Sequence, residues 1–201
     1  SVGKTTTKEM IAAVLAEFAP TLKTEGNLNN LVGLPLSILR LASGHRAAVF
    51  EMGMNHFGEI SRMTRAALPD IAVITNIGTA HIEHLGSREG ILRAKTEIFE
   101  GLDKEGTVIL NGDDQLLWGL RSKLPYRTVF YGLENTKCDI TAENIRQDDR
   151  VGTRFIASTP MGDMDLFLPA IGQHNVLNAL AAVAAGLEYV RRCVKSADPE
   201  E

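Results

Sequence analysis

The sequence contains 201 residues, of which 44% are hydrophobic and 23% are charged, and its net charge is −4 at pH 7. This length allows one large domain or two small ones, and the mildly acidic balance argues against a broad basic surface for nucleic acid. No apolar run approaches the roughly 18 residues of a membrane-spanning helix. Cys138 and Cys193 form no C-x-x-C motif, which argues against a zinc site and suits a reducing cytosol.

Helical and extended segments alternate along the first two thirds of the chain. Apolar residues at helical spacing predict helices, and continuous apolar runs predict strands buried on both faces. The predicted helices cover residues 6–19, 34–41, 58–68, 88–102 and 113–120, and the predicted extended segments cover residues 21–24, 47–50, 71–75, 107–110 and 128–131. This alternation predicts an α/β fold of the phosphate-loop type, with a mainly parallel sheet and helices on both faces.

The pattern changes in the last third of the chain. Residues 140–145, 154–158 and 164–168 form three short segments joined by polar turns, which predict a small antiparallel β patch appended to the main sheet. The alanine-rich residues 175–190 predict one long closing helix. We assign residues 1–192 to one domain and residues 193–201 to a linker or a cut end.

The first residues contain half of a phosphate-binding motif. Gly3-Lys4-Thr5 matches the second half of G-x-x-x-x-G-K-[ST], and the helix predicted after it has N–H groups and a dipole that favour phosphate. The first glycine of the motif and the strand that feeds the loop would precede Ser1, so we interpret the chain as a fragment. The alternative is a chance Gly-Lys-Thr, because half of the motif is missing.

Polar residues follow two of the predicted buried strands. Glu51 directly follows one of them, and His81 lies in the loop after the next. Ligands of open parallel sheets bind beyond the carboxyl ends of the strands, where a carboxylate can reach a Mg²⁺ on nucleotide phosphates together with the Thr5 hydroxyl. The alternatives are a local hydrogen bond for Glu51 and an ordinary polar loop residue for His81, whose loop also contains Glu83 and His84.

Lys95 lies on the apolar stripe of the helix predicted over residues 88–102. On a helical wheel it falls in the middle of the arc formed by Ile91, Leu92, Ala94, Ile98 and Phe99. A lysine in such a position is costly unless it is paired, neutralised or modified. Two interpretations remain open: an ion-paired or snorkelling side chain, and an active-site lysine that CO₂ carbamylates into an anionic oxygen ligand.

Side-chain amides are concentrated in two loops and near the start of the last helix. Asn27 and Asn30 lie in the first loop, Asn55 and His56 lie in the second, and Asn178 lies one turn inside the helix. Amides suit neutral polar groups such as peptide bonds and hydroxyls, and an amide at a helix start can cap it or contact a base. Turn formation is the alternative, because Asn and Gly dominate turns.

Together these residues resemble the Mur ligase family. The resemblance rests on short motifs in the family's order, and the ordered set is more specific than any one of them. The motifs are GKTTTKE at 3–9, GNLNN at 26–30 with GLPL at 33–36, EMGMNH at 51–56 with GEI at 58–60, TNIGTAH at 75–81, RAK at 93–95 with EIF at 97–99, and GQHN at 172–175 with NALAA at 178–182.

The resemblance implies roles for individual residues. Lys4 would hold the β/γ-phosphates, Thr5 and Glu51 would bind a first Mg²⁺, and His81 with carbamylated Lys95 would bind a second Mg²⁺. The residues implied to be catalytic are Lys4, His81 and Lys95. Those implied to bind the nucleotide are Gly3, Lys4, Thr5 and Thr6 at the phosphates and Asn178 at the adenine. Those implied to line the path of the acceptor peptide are Asn27, Asn30, Asn55 and His56.

The resemblance also implies a reaction. Family members use ATP and Mg²⁺ to phosphorylate the terminal carboxylate of a peptide, and an amine then attacks the acyl phosphate. The asparagine-rich loops imply UDP-N-acetylmuramoyl-tripeptide as the acceptor and D-alanyl-D-alanine as the amine, in peptidoglycan precursor synthesis. The family has three domains and this chain matches the central one, so we expect the fragment alone to be inactive. We also expect a cytoplasmic monomer with no nucleic-acid partner and no membrane span.

Three alternatives remain open at this point. A folylpolyglutamate synthase-like ligase shares the ATP chemistry but leaves the asparagine-rich loops unexplained. A phosphate-loop NTPase that acts as a switch or binding module would hydrolyse nucleotide without a peptide acceptor, and it leaves Lys95 unexplained. A catalytically inactive scaffold requires that the first half of the phosphate loop be absent in nature.

Overall fold

The computed structural model describes residues 3–80, 82–148 and 151–197. Within these residues the strands, numbered β1 to β8, are Thr21–Lys23, Ala47–Val49, Ile71–Ile74, Thr107–Asn111, Arg127–Gly132, Ile140–Asp148, Gly152–Thr159 and Gly162–Leu168. The α-helices, numbered α1 to α7, are Lys4–Ala16, Gly33–Ile38, Glu59–Ala67, Ile82–Leu85, Arg88–Thr96, Gln115–Trp118 and Gln173–Ala197, and a 3-10 helix covers Glu97–Gly101.

The strands form a mainly parallel arrangement, which confirms the predicted α/β class. β3, β4, β5 and β6 pair in parallel in chain order, and β7 and β8 continue that sheet as antiparallel strands, as predicted for the appended patch. β1 and β2 form a separate parallel pair in the described residues, whereas the sequence pattern predicts one sheet. The edges of β2 and β3 line a shared cavity instead of pairing with each other.

Helices cover both faces of the larger sheet. β4 is buried along its whole length, and because successive side chains of a strand point to opposite faces, Val108 and Leu110 pack on one side and Ile109 on the other. The first side contains apolar residues of α2, α3 and α5, and the second contains apolar residues of α1 and α7. This packing places the start of α1 and the ends of β2 and β3 around one cavity.

A buried carboxylate holds the C-terminal part of α7 against the N-terminal ends of β4 and β5. Glu188 accepts hydrogen bonds from Arg127 at 2.9–3.0 Å, from Arg191 at 2.6 Å and from the Thr107 hydroxyl at 3.1 Å. Burial raises the pKa of Glu188, but the hydrogen bonds from the two arginines outweigh burial and hold that pKa below its usual value. The cluster lies far from the phosphate loop in the fold, so its role is structural.

Several helices begin or end at other residues than predicted. The helix predicted over residues 88–102 divides into α5 and the 3-10 helix at Glu97, whose carboxylate accepts hydrogen bonds from the N–H groups of Gly58 and Ser61. The short α4 was not predicted, and α7 extends to Ala197, so the domain boundary predicted after residue 192 falls inside a helix. None of the described helices is both long and apolar enough to cross a membrane.

Candidate active site

The phosphate-loop residues form the first turn of α1. Gly3 caps the helix with a φ of 92°, and the N–H of Thr7 donates to its carbonyl at 2.8 Å. A side chain is disfavoured at this φ, and a Cβ at Gly3 would stand 2.8 Å from Oδ1 of Asn178. Lys4 follows in the first turn with Thr5 and Thr6, which are exposed. The helix therefore presents its N-terminal amides and a lysine at one point, as an anion site requires.

Glu51 lies two residues after the end of β2, and its carboxylate is buried. Its backbone N–H donates to the hydroxyl of the buried Thr24 at 3.0 Å, and its Oε1 accepts from the side-chain amide of Asn29 at 2.8 Å. Its Oε2 is the one buried side-chain oxygen or nitrogen of the described residues that has no hydrogen-bond partner. A buried anionic oxygen without a partner is costly, so this atom has the chemistry and the freedom to bind a cation.

Lys95 is half-buried on α5, where Ile91 and Ala94 are fully buried, which confirms the predicted position on the apolar stripe. Its Nζ donates to the backbone carbonyl of Asn76, in the loop after β3. Burial, and then the positive charge of Lys4, lowers the pKa of Lys95 to about 8, although the charge of Asp114 acts in the opposite direction. The side chain therefore faces the phosphate-loop lysine, and no carboxylate of the described residues is hydrogen-bonded to its amine.

Three side chains that the sequence analysis did not single out fix the loop after β3. Asn111 donates its amide to the carbonyl of Thr75 at 2.9 Å, Asp114 accepts from the N–H of Ile77 at 2.6 Å, and Arg88 donates to the carbonyl of Ile77 at 2.9 Å. Asn111 and Asp114 follow a buried strand, so the strand-end rule that points to Glu51 could have found them. They hold the backbone that receives the Lys95 amine.

One cavity of about 1080 Å³ brings together five of the predicted site residues, namely Lys4, Asn30, Glu51, Asn55 and Lys95. It extends between β2 and β3 from the start of α1 to Asp70 and Arg192. Among the described residues, predicted site residues outside its lining are Gly3, Thr5, Thr6, Asn27, His56 and Asn178. His81 lies outside the described residues, and its predicted metal role stays a prediction.

The predicted acceptor-path residues make local contacts. Asn27 is exposed, and Oδ1 of Asn30 accepts the N–H groups of Val32 at 3.0 Å and Gly33 at 2.9 Å, which is turn chemistry. The backbone N–H of Asn55 donates to Glu59 at 2.7 Å. In a further contact, the ring of His56 lies 4.8 Å from that of His84, between centroids. Asn30 and Asn55 line the cavity whereas Asn27 and His56 do not, and the substrate roles of all four stay predictions.

Asn178 lies below the phosphate loop. It is buried, and its Oδ1 accepts from the hydroxyl of Thr7 at 3.1 Å, which ties α7 to the first turn of α1. The side chain therefore stands beside Gly3 at the start of α1, where the N-terminal amides would bind the phosphates of a nucleotide. Its predicted contact with adenine stays a prediction.

The donor set tests whether a divalent cation fits. No group of three or more His, Cys, Asp or Glu side chains in the described parts of the chain could hold a metal ion. The residues implied by the resemblance are of another kind, with one carboxylate, a hydroxyl, the His81 imidazole and a carbamate. The free Oε2 of Glu51 at the cavity fits such a set, since Mg²⁺ is commonly held by one or two carboxylates together with substrate phosphates.

Sequence comparison matches the chain to one family model and to relatives of known name. The family model described as "Mur ligase middle domain" matches residues 1–186. The UDP-N-acetylmuramoyl-tripeptide–D-alanyl-D-alanine ligase of Bacillus subtilis (strain 168) is 47% identical over 190 residues, which cover 94% of this chain and 40% of that protein. The chain thus spans about two fifths of the length of such relatives.

Solved structures with a similar sequence and fold are MurF ligases. A crystal structure of MurF from Acinetobacter baumannii has 41% identity and a TM-score of 0.87, and the match covers 94% of this chain and 41% of that one. The MurF ligase of Thermotoga maritima, crystallised in complex with ADP, has 30% identity and a TM-score of 0.83, covering 94% of this chain and 44% of that one. The chain belongs to the Mur ligase family, as a middle domain of that family.

Proposed function

We propose that this chain is the nucleotide-binding part of an ATP-dependent ligase that joins D-alanyl-D-alanine to UDP-N-acetylmuramoyl-tripeptide in peptidoglycan precursor synthesis. The observation that carries the proposal is the meeting of Lys4, Glu51 and Lys95 at one cavity. Relatives at 42–47% identity are named for this reaction, which favours it over a folylpolyglutamate synthase-like ligase. A switch or binding module would have no need of the half-buried Lys95.

The chain's own residues act on the phosphates of ATP. The N–H groups of the first turn of α1 bind phosphate oxygens, and Lys4 adds a positive charge beside the β/γ-phosphates as negative charge develops on them. Gly3 permits the close approach of the backbone, and Thr5 and Thr6 supply hydroxyl groups at the same helix start. The carboxylate of the tripeptide attacks the γ-phosphorus, ADP leaves, and the amine of D-alanyl-D-alanine then displaces phosphate from the acyl carbon.

The proposal assigns two residue sets to Mg²⁺. Thr5 and Glu51 would hold a first ion, and His81 with carbamylated Lys95 would hold a second. When bound, the ions would offset negative charge on the transferred phosphoryl group. The support is the buried Oε2 of Glu51 without a partner and the lysine that faces Lys4 across the cavity.

Carbamylation of Lys95 is part of the proposal. The protonated side chain first loses one proton to solvent. The neutral Nζ then attacks the carbon of dissolved CO₂, the N–C bond forms as one C–O π bond breaks, and a second proton is released to solvent. The side chain changes from a cation to an anion with two oxygen atoms. Burial and the charge of Lys4 favour the neutral amine that this reaction needs, because they lower the pKa of Lys95 to about 8.

The remaining residues select the substrates. Asn178, beside Gly3 and Thr7, would contact adenine, and Asn27, Asn30, Asn55 and His56 would line the path of the tripeptide. Amides and an imidazole recognise peptide bonds and hydroxyls by hydrogen bonds without adding net charge. The free thiols Cys138 and Cys193 suit the proposed cytoplasmic location. The monomeric state stays a prediction.

The proposed domain organisation adds one strand. The chain forms most of a middle domain, and in the full-length protein we expect one further strand between β2 and β3. Two features support this: the cavity runs along both strands, and the apolar Ala48, Ile71 and Val73 are not fully covered. A strand parallel to β2 would lead into Gly3 and join the two sheets at the usual spacing of about 4.8 Å.

Hydrogen exchange on the full-length protein tests this strand. The edge amides of β2 and β3 should be as protected as those of β4, because a paired edge exchanges slowly. Rapid exchange at both edges would exclude a strand in the cavity.

Phosphate release by the full-length protein tests the function. ATP, UDP-N-acetylmuramoyl-tripeptide and D-alanyl-D-alanine are supplied together and then omitted one at a time. We expect release only when all three are present. Release without the tripeptide would favour the NTPase switch, and no release with any acceptor would favour the inactive scaffold. Residues 1–201 alone should release none.

A further inference from the structure

The side-chain amide of Asn29 contacts the carboxylate that the proposed function assigns to the metal. Its Nδ2 donates to Oε1 of Glu51 at 2.8 Å, and Asn29 belongs to the same amide-rich loop as Asn27 and Asn30. Asn30 uses its own side chain for a local turn, so the two neighbouring amides differ in what they bind. Within the hydrogen bonds of the described residues, Asn29 alone among these three reaches Glu51, two residues after the end of β2.

Backbone hydrogen bonds hold Asn29 through both its carbonyl, which contacts the segment after Glu51, and its N–H, which contacts Asn27. The backbone N–H of Gly53 donates to the carbonyl of Asn29 at 2.6 Å, and the N–H of Asn29 donates to the carbonyl of Asn27 at 2.7 Å. A Cβ at Gly53 would stand 3.2 Å from Oδ1 and 3.4 Å from Nδ2 of Asn29, so the absence of a side chain there gives the amide its room. The amide is therefore fixed in position by both backbone and side-chain contacts.

The contact leaves one carboxylate oxygen committed and the other free. Oε1 of Glu51 is occupied by the amide, whereas the buried Oε2 has no hydrogen-bond partner among the described residues. An amide is a neutral donor, so it orients the carboxylate without cancelling its charge. A lysine or arginine in the same place would cancel that charge. Partners of this kind behind a metal ligand commonly change metal affinity about 10–100-fold.

We propose that Asn29 is a positioning residue for Glu51: it holds Oε1 so that Oε2 faces the nucleotide site and binds the divalent cation. This inference rests on the proposed function, because it assumes that Glu51 is a metal ligand. It assigns to Asn29 a task different from the peptide contacts predicted for Asn27 and Asn30.

Metal binding by the full-length protein tests the proposal. Mn²⁺ is titrated in the presence of a non-hydrolysable ATP analogue, and free Mn²⁺ is measured by electron paramagnetic resonance. We expect Asn29→Ala to weaken Mn²⁺ binding about tenfold and Glu51→Gln to weaken it more. In the double variant, Asn29→Ala should add nothing to Glu51→Gln, because its effect passes through that carboxylate. Affinity for the analogue without metal should not change.

A matched control separates positioning from folding. Asn135→Ala also removes one side-chain amide, which donates to the carbonyl of Gly112 at 3.0 Å after another strand, and it should leave Mn²⁺ binding unchanged. If Asn29→Ala does not fold, Gly53→Ala provides a milder change that displaces the amide by a few tenths of an ångström. It should also weaken Mn²⁺ binding.

The outcomes are distinct. If Glu51→Gln weakens Mn²⁺ binding and Asn29→Ala does not, or if the two losses add, the positioning role is wrong while the proposed function stands. If Glu51→Gln has no effect on Mn²⁺ binding, the metal role of Glu51 is wrong and the role of Asn29 is refuted with it.

Discussion

Carbamylation of Lys95 in the full-length protein is the prediction that the structure makes most sharply. A lysine attacks CO₂ only as the neutral amine, and burial together with the charge of Lys4 lowers the pKa of Lys95 to about 8. At pH 7.5 about one quarter of such an amine is neutral, against about 0.1% for an ordinary lysine with a pKa of about 10.4. The reactive fraction is thus roughly 200-fold larger than at a surface lysine.

The pH dependence follows from the same pKa. Because the neutral fraction falls as pH drops below about 8, the rate of carbamate formation at fixed dissolved CO₂ should fall about eightfold between pH 7.5 and pH 6.5. Above pH 8 most of the amine is already neutral, so the rate should rise little further. An ordinary lysine would instead continue to gain about tenfold for each pH unit up to pH 10.

The assay is ¹³C nuclear magnetic resonance of the protein equilibrated with ¹³C-labelled CO₂. We expect one carbamate signal that disappears in Lys95→Ala and persists in Lys104→Ala, a control that removes an exposed lysine. Small carboxylic acids should restore part of the ligase activity of Lys95→Ala. A signal that survives in Lys95→Ala, or full activity of that variant without any added acid, would refute the reasoning.

Three further predictions concern the phosphate loop, the buried carboxylate of α7 and the loop after β3. Gly3→Ala in the full-length protein should weaken ATP binding roughly 5- to 150-fold by calorimetry, because the positive φ and the contact with Asn178 cost about 1–3 kcal/mol. Glu188→Ala should cost about 2 kcal/mol in thermal unfolding at pH 7, since its arginine partners stay partly hydrated. Because the pKa of Glu188 is lower in the folded protein than in the unfolded chain, its stabilisation is full above the ordinary glutamate pKa of about 4.3 and is lost as pH falls through the lower folded-state pKa. The loss in Glu188→Ala should therefore shrink at acid pH. Asp114→Ala should lower kcat more than ATP affinity, because it frees the N–H of Ile77.

Periodicity in the sequence was enough to predict where two residues of the candidate site lie. The strand-end rule found Glu51, and the helical wheel found Lys95, because both signals depend only on where regular elements bury their apolar faces. Applied after β4, the same rule would also have found Asn111 and Asp114. The fold class was predictable for the same reason, including the appended antiparallel strands.

The irregular loops were not predictable in this way. Three asparagines follow Gly26 within four residues, and composition assigns the same chemistry to each. Only the path of the backbone, with a positive φ at Gly26 and the hydrogen bond from Gly53, directs Asn29 to Glu51 and Asn30 into a turn. The separation of β2 from β3 was missed because pairing between parallel strands is a non-local contact that no local pattern encodes.

The charge of the site depends on the chemical state of one side chain. With an unmodified lysine, Lys4 and Lys95 outnumber Glu51 and the group carries one net positive charge, which suits phosphate and repels a divalent cation. Carbamylation reverses the sign at Lys95 and leaves the group with one net negative charge, so a cation is then attracted and Lys4 gains an anionic neighbour. Metal binding and carbamylation should therefore favour each other, since each lowers the electrostatic cost of the other. It follows that Mg²⁺ with nucleotide should raise the carbamate occupancy at fixed CO₂, and that removing CO₂ should weaken metal binding even when Glu51 and Asn29 are intact.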